Sequence, residues 1–205
     1  MTTQLQAFAI RGLAGGAPFY FSHGLDVLAG KLRAAGVPCS MHDQGSVLRP
    51  YGEVPRIFTA ARHAAEHGAA PVLIGHSMGA DAALKVAVLL DAHGISVPLV
   101  VCFDPTAFRL LFGPPPVPKN VARALCFYQK LTPLGRGILR PASGFSGTLI
   151  QEEHPRIHSH IDDDPALQQR VLDEVRELLA ARQGPADIHP TPMRGRAPQR
   201  IGGGL

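Results

Sequence analysis

Pro71-Val72-Leu73-Ile74-Gly75-His76-Ser77-Met78-Gly79-Ala80-Asp81-Ala82-Ala83-Leu84 decides how this chain is read. Val72, Leu73 and Ile74 form a short run that is apolar on both faces, as a strand buried inside a parallel sheet requires. Ala80 to Leu84 opens a strongly apolar helix, which the pattern extends to about Ala92. Between them, Gly75-His76-Ser77-Met78-Gly79 must turn the chain from strand to helix. A turn that tight holds the serine in a strained conformation, and the flanking glycines leave room for its backbone. It also lifts the serine Oγ above the sheet edge. There the new helix offers positive potential and unpaired N–H groups.

The same alternation continues outward in both directions. Ala7 to Ile10, Val37 to Met41, Pro98 to Phe103, Val121 to Tyr128 and Gly147 to Gln151 read as five further strands. A helix with Ser22 as N-cap places Leu25, Leu28 and Leu32 on one face and stops at Gly36. A second runs from about Val54 to His67 and is closed by Gly68. The last spans about Pro165 to Arg182, with Leu167, Val171, Leu172, Val175, Leu178 and Leu179 at helical spacing. Apolar strands alternating with amphipathic helices predict an α/β fold: a doubly wound, mostly parallel sheet of about six strands with helices on both faces. In such sheets ligands bind beyond the carboxyl ends of the strands, so chemistry is sought there.

A chain of 205 residues has room for one domain with a substantial core. That domain is assigned to residues 1–182. The apolar period vanishes over residues 183–205, where Gly, Pro and Arg dominate, and this segment is expected to be a disordered basic tail. Net charge is +4, and Arg182, Arg194, Arg196 and Arg200 lie in or beside that tail, so the body is close to neutral. Neither a basic face nor any Trp is present to hold a nucleic acid. Cys39, Cys102 and Cys126 each sit in an apolar run and form no C-x-x-C pair, which reads as buried free thiols in a reducing compartment. The N-terminal residues lack the pattern of a signal peptide, and no apolar run is long enough to span a membrane. A soluble, cytoplasmic protein is expected; the sequence leaves its oligomeric state open.

The strand, the G-x-S-x-G turn and the helix together resemble the nucleophile elbow of the α/β-hydrolase superfamily, over roughly residues 6–180. The resemblance implies a Ser–acid–His triad in that chain order, with Ser77 as nucleophile. For the acid it points to Asp104, which ends Val101-Cys102-Phe103-Asp104-Pro105 at the carboxyl edge of the next strand, although Asp-Pro also reads as a turn. In many family members the acid follows the strand after that one. Here that strand ends Tyr128-Gln129-Lys130, without a carboxylate. The base is sought in His154-Pro155-Arg156-Ile157-His158-Ser159-His160-Ile161-Asp162. In an extended stretch His158 and His160 point to opposite sides, so one of them reaches Ser77. Small bacterial hydrolases often show H-x-x-I-D before the last helix, which favours His158; His160 is the alternative base and His154 a third candidate. The resemblance further implies an oxyanion hole made by the N–H groups of Met78 and Leu13. The expected reaction is acyl transfer from a small-molecule ester or thioester, with no cofactor.

The strand count suggests a minimal version of this fold, similar to cutinases and small bacterial lipases or thioesterases. The segment Pro105 to Lys119 is too short for a helical lid, and its apolar residues could line an acyl site. Other classes remain open. A non-catalytic hydrolase-fold binding module would usually have lost the serine or the histidine. His154, His158, His160 and neighbouring carboxylates could form a metal cluster, but the elbow would then have no role, and Asp162 to Asp164 read as the start of the last helix. His63-Ala64-Ala65-Glu66-His67 has the wrong spacing for a zincin. Gly12-Leu13-Ala14-Gly15-Gly16 lacks the spacing of a dinucleotide loop.

Overall fold

The computed structural model of the chain describes residues 4–13, 22–106, 114–129 and 137–183. Six strands form one sheet: β1 (Gln4–Arg11), β2 (Cys39–Asp43), β3 (Ala69–His76), β4 (Val97–Phe103), β5 (Val121–Tyr128) and β6 (Thr148–Glu153). Their order is β2-β1-β3-β4-β5-β6 and every pairing is parallel, as the two-sided apolar runs require. The helices are α1 (His23–Ala34), α2 (Val54–Glu66), α3 (Met78–Ala92) and α4 (Pro165–Gln183). The chain builds one half of the sheet from β1 outward to β2, crosses back to β3, and then adds β4, β5 and β6 on the other side. That reversal falls between β1 and β3, next to the G-x-S-x-G turn.

Strand alternation divides the core into two layers. Phe8, Ile10, Leu73, Val100, Cys102, Ala124 and Cys126 face α2 and α3. Leu5, Ala7, Ala9, Val72, Ile74, Val101, Phe103, Leu125 and Phe127 face α1 and α4. The helices answer with the faces their spacing specifies: Leu25, Leu28 and Leu32 from α1, Val171 and Val175 from α4, Ile57 and Ala61 from α2. The central helix α3 is buried on nearly every side, which is why its sequence is apolar all round. Phe8, Phe103 and Phe127 are among the largest fully buried side chains, and truncating one to Ala would cost about 3–5 kcal/mol.

The sheet's edges are short and partly polar, which blunts their capacity to pair with another chain. β2 begins two residues later than its apolar run predicts and ends in His42 and Asp43. All three cysteines are free and buried, and burial raises their thiol pKa values, Cys39 to about 11. None is therefore poised as a thiolate nucleophile. Among the described residues no helix is long and apolar enough to cross a membrane. Gln183, the first residue of the expected tail, is instead the last residue of α4; residues 184–205, and residues 107–113 of the segment expected to line an acyl site, lie outside the described residues.

Candidate active site

Ser77 sits where β3 turns into α3, with φ 56° and ψ −126°. A non-glycine residue in that region is strained, and the surroundings enforce it. The Ser77 N–H donates to the Phe103 carbonyl at 2.9 Å, while the Ser77 carbonyl accepts from Ala80 and Thr106 at 3.0 and 3.2 Å. Both motif glycines are required by close approach. A Cβ on Gly79 would stand 2.1 Å from the Ile10 carbonyl oxygen, and one on Gly75 would stand 2.3 Å from the Gly79 carbonyl oxygen.

The next strand ends in a second strained residue. Asp104 has φ 41°, its N–H donates to the Phe127 carbonyl at 2.7 Å, and its side chain is fully buried. Its Oδ2 accepts from His158 Nδ1–H at 2.7 Å. Because a carboxylate only accepts, Nδ1 of His158 carries the proton and Nε2 is bare. Nε2 in turn accepts from the Ser77 hydroxyl at 2.9 Å. Ser77 and Asp104, each just past a strand end, and His158, in the turn after β6, thus form one hydrogen-bonded chain. Gln129, at the end of β5, adds its side-chain amide to Asp104 Oδ2 at 2.8 Å and its backbone N–H to Oδ1 at 3.4 Å.

The other histidine candidates are elsewhere. His160 is exposed and its Nδ1 bonds the Ser159 hydroxyl; His154 Nε2 lies 3.7 Å from Asp164. The segment is not extended: His158–His160 forms one turn of 3-10 helix. The alternation argument therefore does not apply here; His160 is turned away by helical rotation. The carboxylates beside it also divide their work. Asp164 caps α4, accepting from the Ala166 and Leu167 N–H groups. Asp162 instead turns inward and accepts from the Leu25 N–H at 3.1 Å, capping α1 from across the fold. Burial raises the Asp162 pKa to about 7. Among the described residues no group of three or more His, Cys, Asp or Glu is arranged to hold a metal ion.

Ser22 stands at the N-cap position of α1, but its hydroxyl does not cap the helix. It bonds His76 Nδ1 at 2.8 Å and accepts from the Gly12 N–H at 3.1 Å. Sequence pattern reads Ser22 and Asp162 as helix starts and gives no role to His76 or Gln129. The available signal was their location, since each lies at the carboxyl edge of the sheet or packs on it. Met78 is the first residue of α3, so its N–H has no partner within the helix, and it is buried beside Ser77. Leu13 follows β1 in a turn and is 39% exposed. A Cβ on the preceding Gly12 would stand 3.0 Å from the Ser77 Cβ, so this turn passes directly over the serine. A separate cleft of about 540 Å³ beside β2 is lined by residues including His42, Arg49 and Arg56; it shares no lining residue with the Ser77 site.

No protein-family model and no curated protein matches this chain. Solved structures do match. One is an alpha/beta superfamily member from Xanthomonas campestris pv. campestris, at a TM-score of 0.51 and 18% identity over 86% of this chain and 99% of that one. A mutant of the esterase rPPE gives a TM-score of 0.55 and 14% identity over 88% of this chain and 75% of that one. The NocB thioesterase domain, in a covalent complex with a fluorophosphonate nocardicin G analog, gives a TM-score of 0.51 and 17% identity over 87% and 96%. At such identities the shared property is the fold.

Proposed function

We propose that this chain, which has the fold of the α/β-hydrolase superfamily, is a serine hydrolase that cleaves a carboxylic ester or thioester through an acyl-enzyme. The observation that carries this reading is the continuous path from Ser77 Oγ to His158 Nε2, at 2.9 Å, and from His158 Nδ1 to Asp104 Oδ2, at 2.7 Å. Both distances are within the reach that proton transfer requires.

In the proposed reaction His158 Nε2 takes the Ser77 proton as Oγ attacks the substrate carbonyl. Asp104 keeps the Nδ1–H tautomer and stabilises the imidazolium. The Met78 N–H and the N–H of Leu13 receive the oxyanion, each contributing about 3–4 kcal/mol to the barrier reduction. The alcohol or thiol leaves with the proton from His158 Nε2. Water then enters, loses a proton to the same nitrogen and releases the acid, restoring Ser77. No step calls on a cofactor. The neighbouring folds named for an esterase and a thioesterase support testing both leaving groups.

The test is turnover of a matched series of p-nitrophenyl esters and acyl thioesters by wild type and Ser77→Ala. The reading predicts saturable hydrolysis of at least one series that vanishes in the variant. Equal background rates from both folded proteins would favour a binding module instead.

A further inference from the structure

The proposed reaction leaves one fully buried imidazole unused, that of His76, the residue just before the nucleophile. We propose that His76 is the positioning residue of this site: it fixes the backbone of His158 and, through Ser22, the Gly12 backbone, so that the base and the oxyanion turn stay in register with Ser77. This rests on the hydrolase reading above.

Hydrogen-bond chemistry determines the state of the ring. His76 Nε2 lies 2.7 Å from the His158 carbonyl oxygen. A carbonyl only accepts, so Nε2 carries the proton and Nδ1 is bare. Nδ1 therefore accepts from the Ser22 hydroxyl at 2.8 Å, and that oxygen accepts from the Gly12 N–H at 3.1 Å. In this assignment each donor and acceptor in the sequence Gly12–Ser22–His76–His158 is used once, and the buried Asp162 carboxyl that faces Nδ1, at 4.0 Å, lies beyond hydrogen-bond reach. Burial, helped by the nearby His158 ring, holds the His76 pKa at about 3 and keeps the ring neutral.

The site needs such a tie. His158 lies in a single 3-10 turn with no buried residue of its own. Asp104 holds its ring at Nδ1 and makes no bond to its backbone carbonyl. His76 extends from rigid β3 and grips that backbone at the carbonyl. At its other nitrogen it secures Ser22, whose hydroxyl is diverted from capping α1, a task passed to Asp162. One ring thus connects the nucleophile's strand, the base and the turn that carries Leu13. A phenyl or leucyl group would fill the same volume but leave the His158 carbonyl and the Ser22 hydroxyl unpaired.

Two substitutions separate the two arms. The His76→Gln amide nitrogen reaches the Nε2 position and can still donate to the His158 carbonyl. His76→Asn reaches only the Nδ1 position and keeps the Ser22 arm. For variants that are folded by circular dichroism, the expectation is that both lose kcat with KM nearly unchanged: roughly 100-fold for His76→Asn, which releases the base, and roughly 10-fold for His76→Gln, which releases only the oxyanion turn. Wild-type kcat in either folded variant overturns the proposal for the arm which that variant removes, and wild-type kcat in both overturns it whole. A role confined to stability would lower the melting temperature without changing kcat per folded molecule.

Imidazole nitrogen chemical shifts of wild type decide the geometry independently of turnover. They should show His76 neutral and protonated at Nε2 from pH 5 to pH 9. A ring that titrates in this range, or that carries its proton on Nδ1, overturns the proposal. A wild type that hydrolyses nothing would sink the hydrolase reading, while the shifts would still support or refute the tie itself.

Discussion

Gln129 donates its side-chain amide to Asp104 Oδ2, the same oxygen that accepts from His158. Asp104 directly follows β4 and Gln129 directly follows β5, so two adjacent strand ends converge on one carboxylate. The later strand end carries an amide and no carboxylate, and that amide donates to the carboxylate on the earlier one. Gln129→Leu removes one charge-assisted bond from a buried carboxylate, worth about 1.5–3 kcal/mol, and should lower kcat/KM by roughly 10-fold or more. Gln129→Glu should be worse, because two carboxylates in contact cannot both ionise. Steady-state kinetics of the two variants at pH 7 test the order; a fully active Gln129→Glu enzyme would contradict it.

His160 should be dispensable. Its ring is exposed and bonded to Ser159, away from Ser77. His160→Ala is expected to keep kcat within about twofold of wild type, whereas His158→Ala should lose on the order of 10²–10⁴-fold. The reverse ranking, measured on the ester series, would move the base.

The motif glycines and an exposed helical glycine should respond in opposite directions. Gly79→Ala forces a methyl to within 2.1 Å of the Ile10 carbonyl oxygen, inside the sheet–helix junction. It should fail to fold or lose more than about 3 kcal/mol, as overpacking against backbone does. Gly30 lies in α1 with nothing within 4 Å of its Cβ position. Gly30→Ala should gain about 0.5–1 kcal/mol. Urea unfolding of both variants checks the contrast.

The buried pair His76 and Asp162, 4.0 Å apart, makes opposed contributions to pH-dependent stability. His76 falls from its ordinary 6.5 to about 3, so between these values the unfolded chain binds a proton that the native chain does not. Acidification through that window therefore removes stability. Asp162 rises from 3.8 to about 7, so there the native chain holds the extra proton and acidification adds stability. Between pH 3.8 and 6.5 the two slopes, each about 1.4 kcal/mol per pH unit, cancel. Asp162→Asn leaves the His76 slope alone, so the variant should lose stability relative to wild type as pH falls from 6.5 to 4. Unfolding midpoints at pH 4, 5, 6 and 7 measure the difference; parallel curves would refute the opposition.

The architecture was readable because a parallel sheet writes itself in apolar runs. Val121–Tyr128 is bounded by polar residues and its limits were clear, while the β2 run was displaced because an edge strand admits His42 and Asp43. At the site, Ser77 and Asp104 could be picked out because each ends a strand. His158 could be favoured on a motif, yet the extended backbone assumed for it is a 3-10 turn, since three residues give no periodicity to read. The supporting residues were hidden for a different reason. Ser22, Asp162 and Gln129 have side chains whose local uses, as caps or strand ends, are satisfied as well by distant partners. The 137-residue separation between Leu25 and Asp162 leaves no trace in local pattern.

The most direct test of the account is reaction with a fluorophosphonate probe, followed by peptide mass mapping. Phosphonylation needs an activated serine, a base within reach and an oxyanion site, which are the three properties assigned here. The account predicts a single adduct on Ser77 in the folded wild type, lost in Ser77→Ala and slowed by His158→Ala. A folded wild type that acquires no adduct on Ser77 would contradict it.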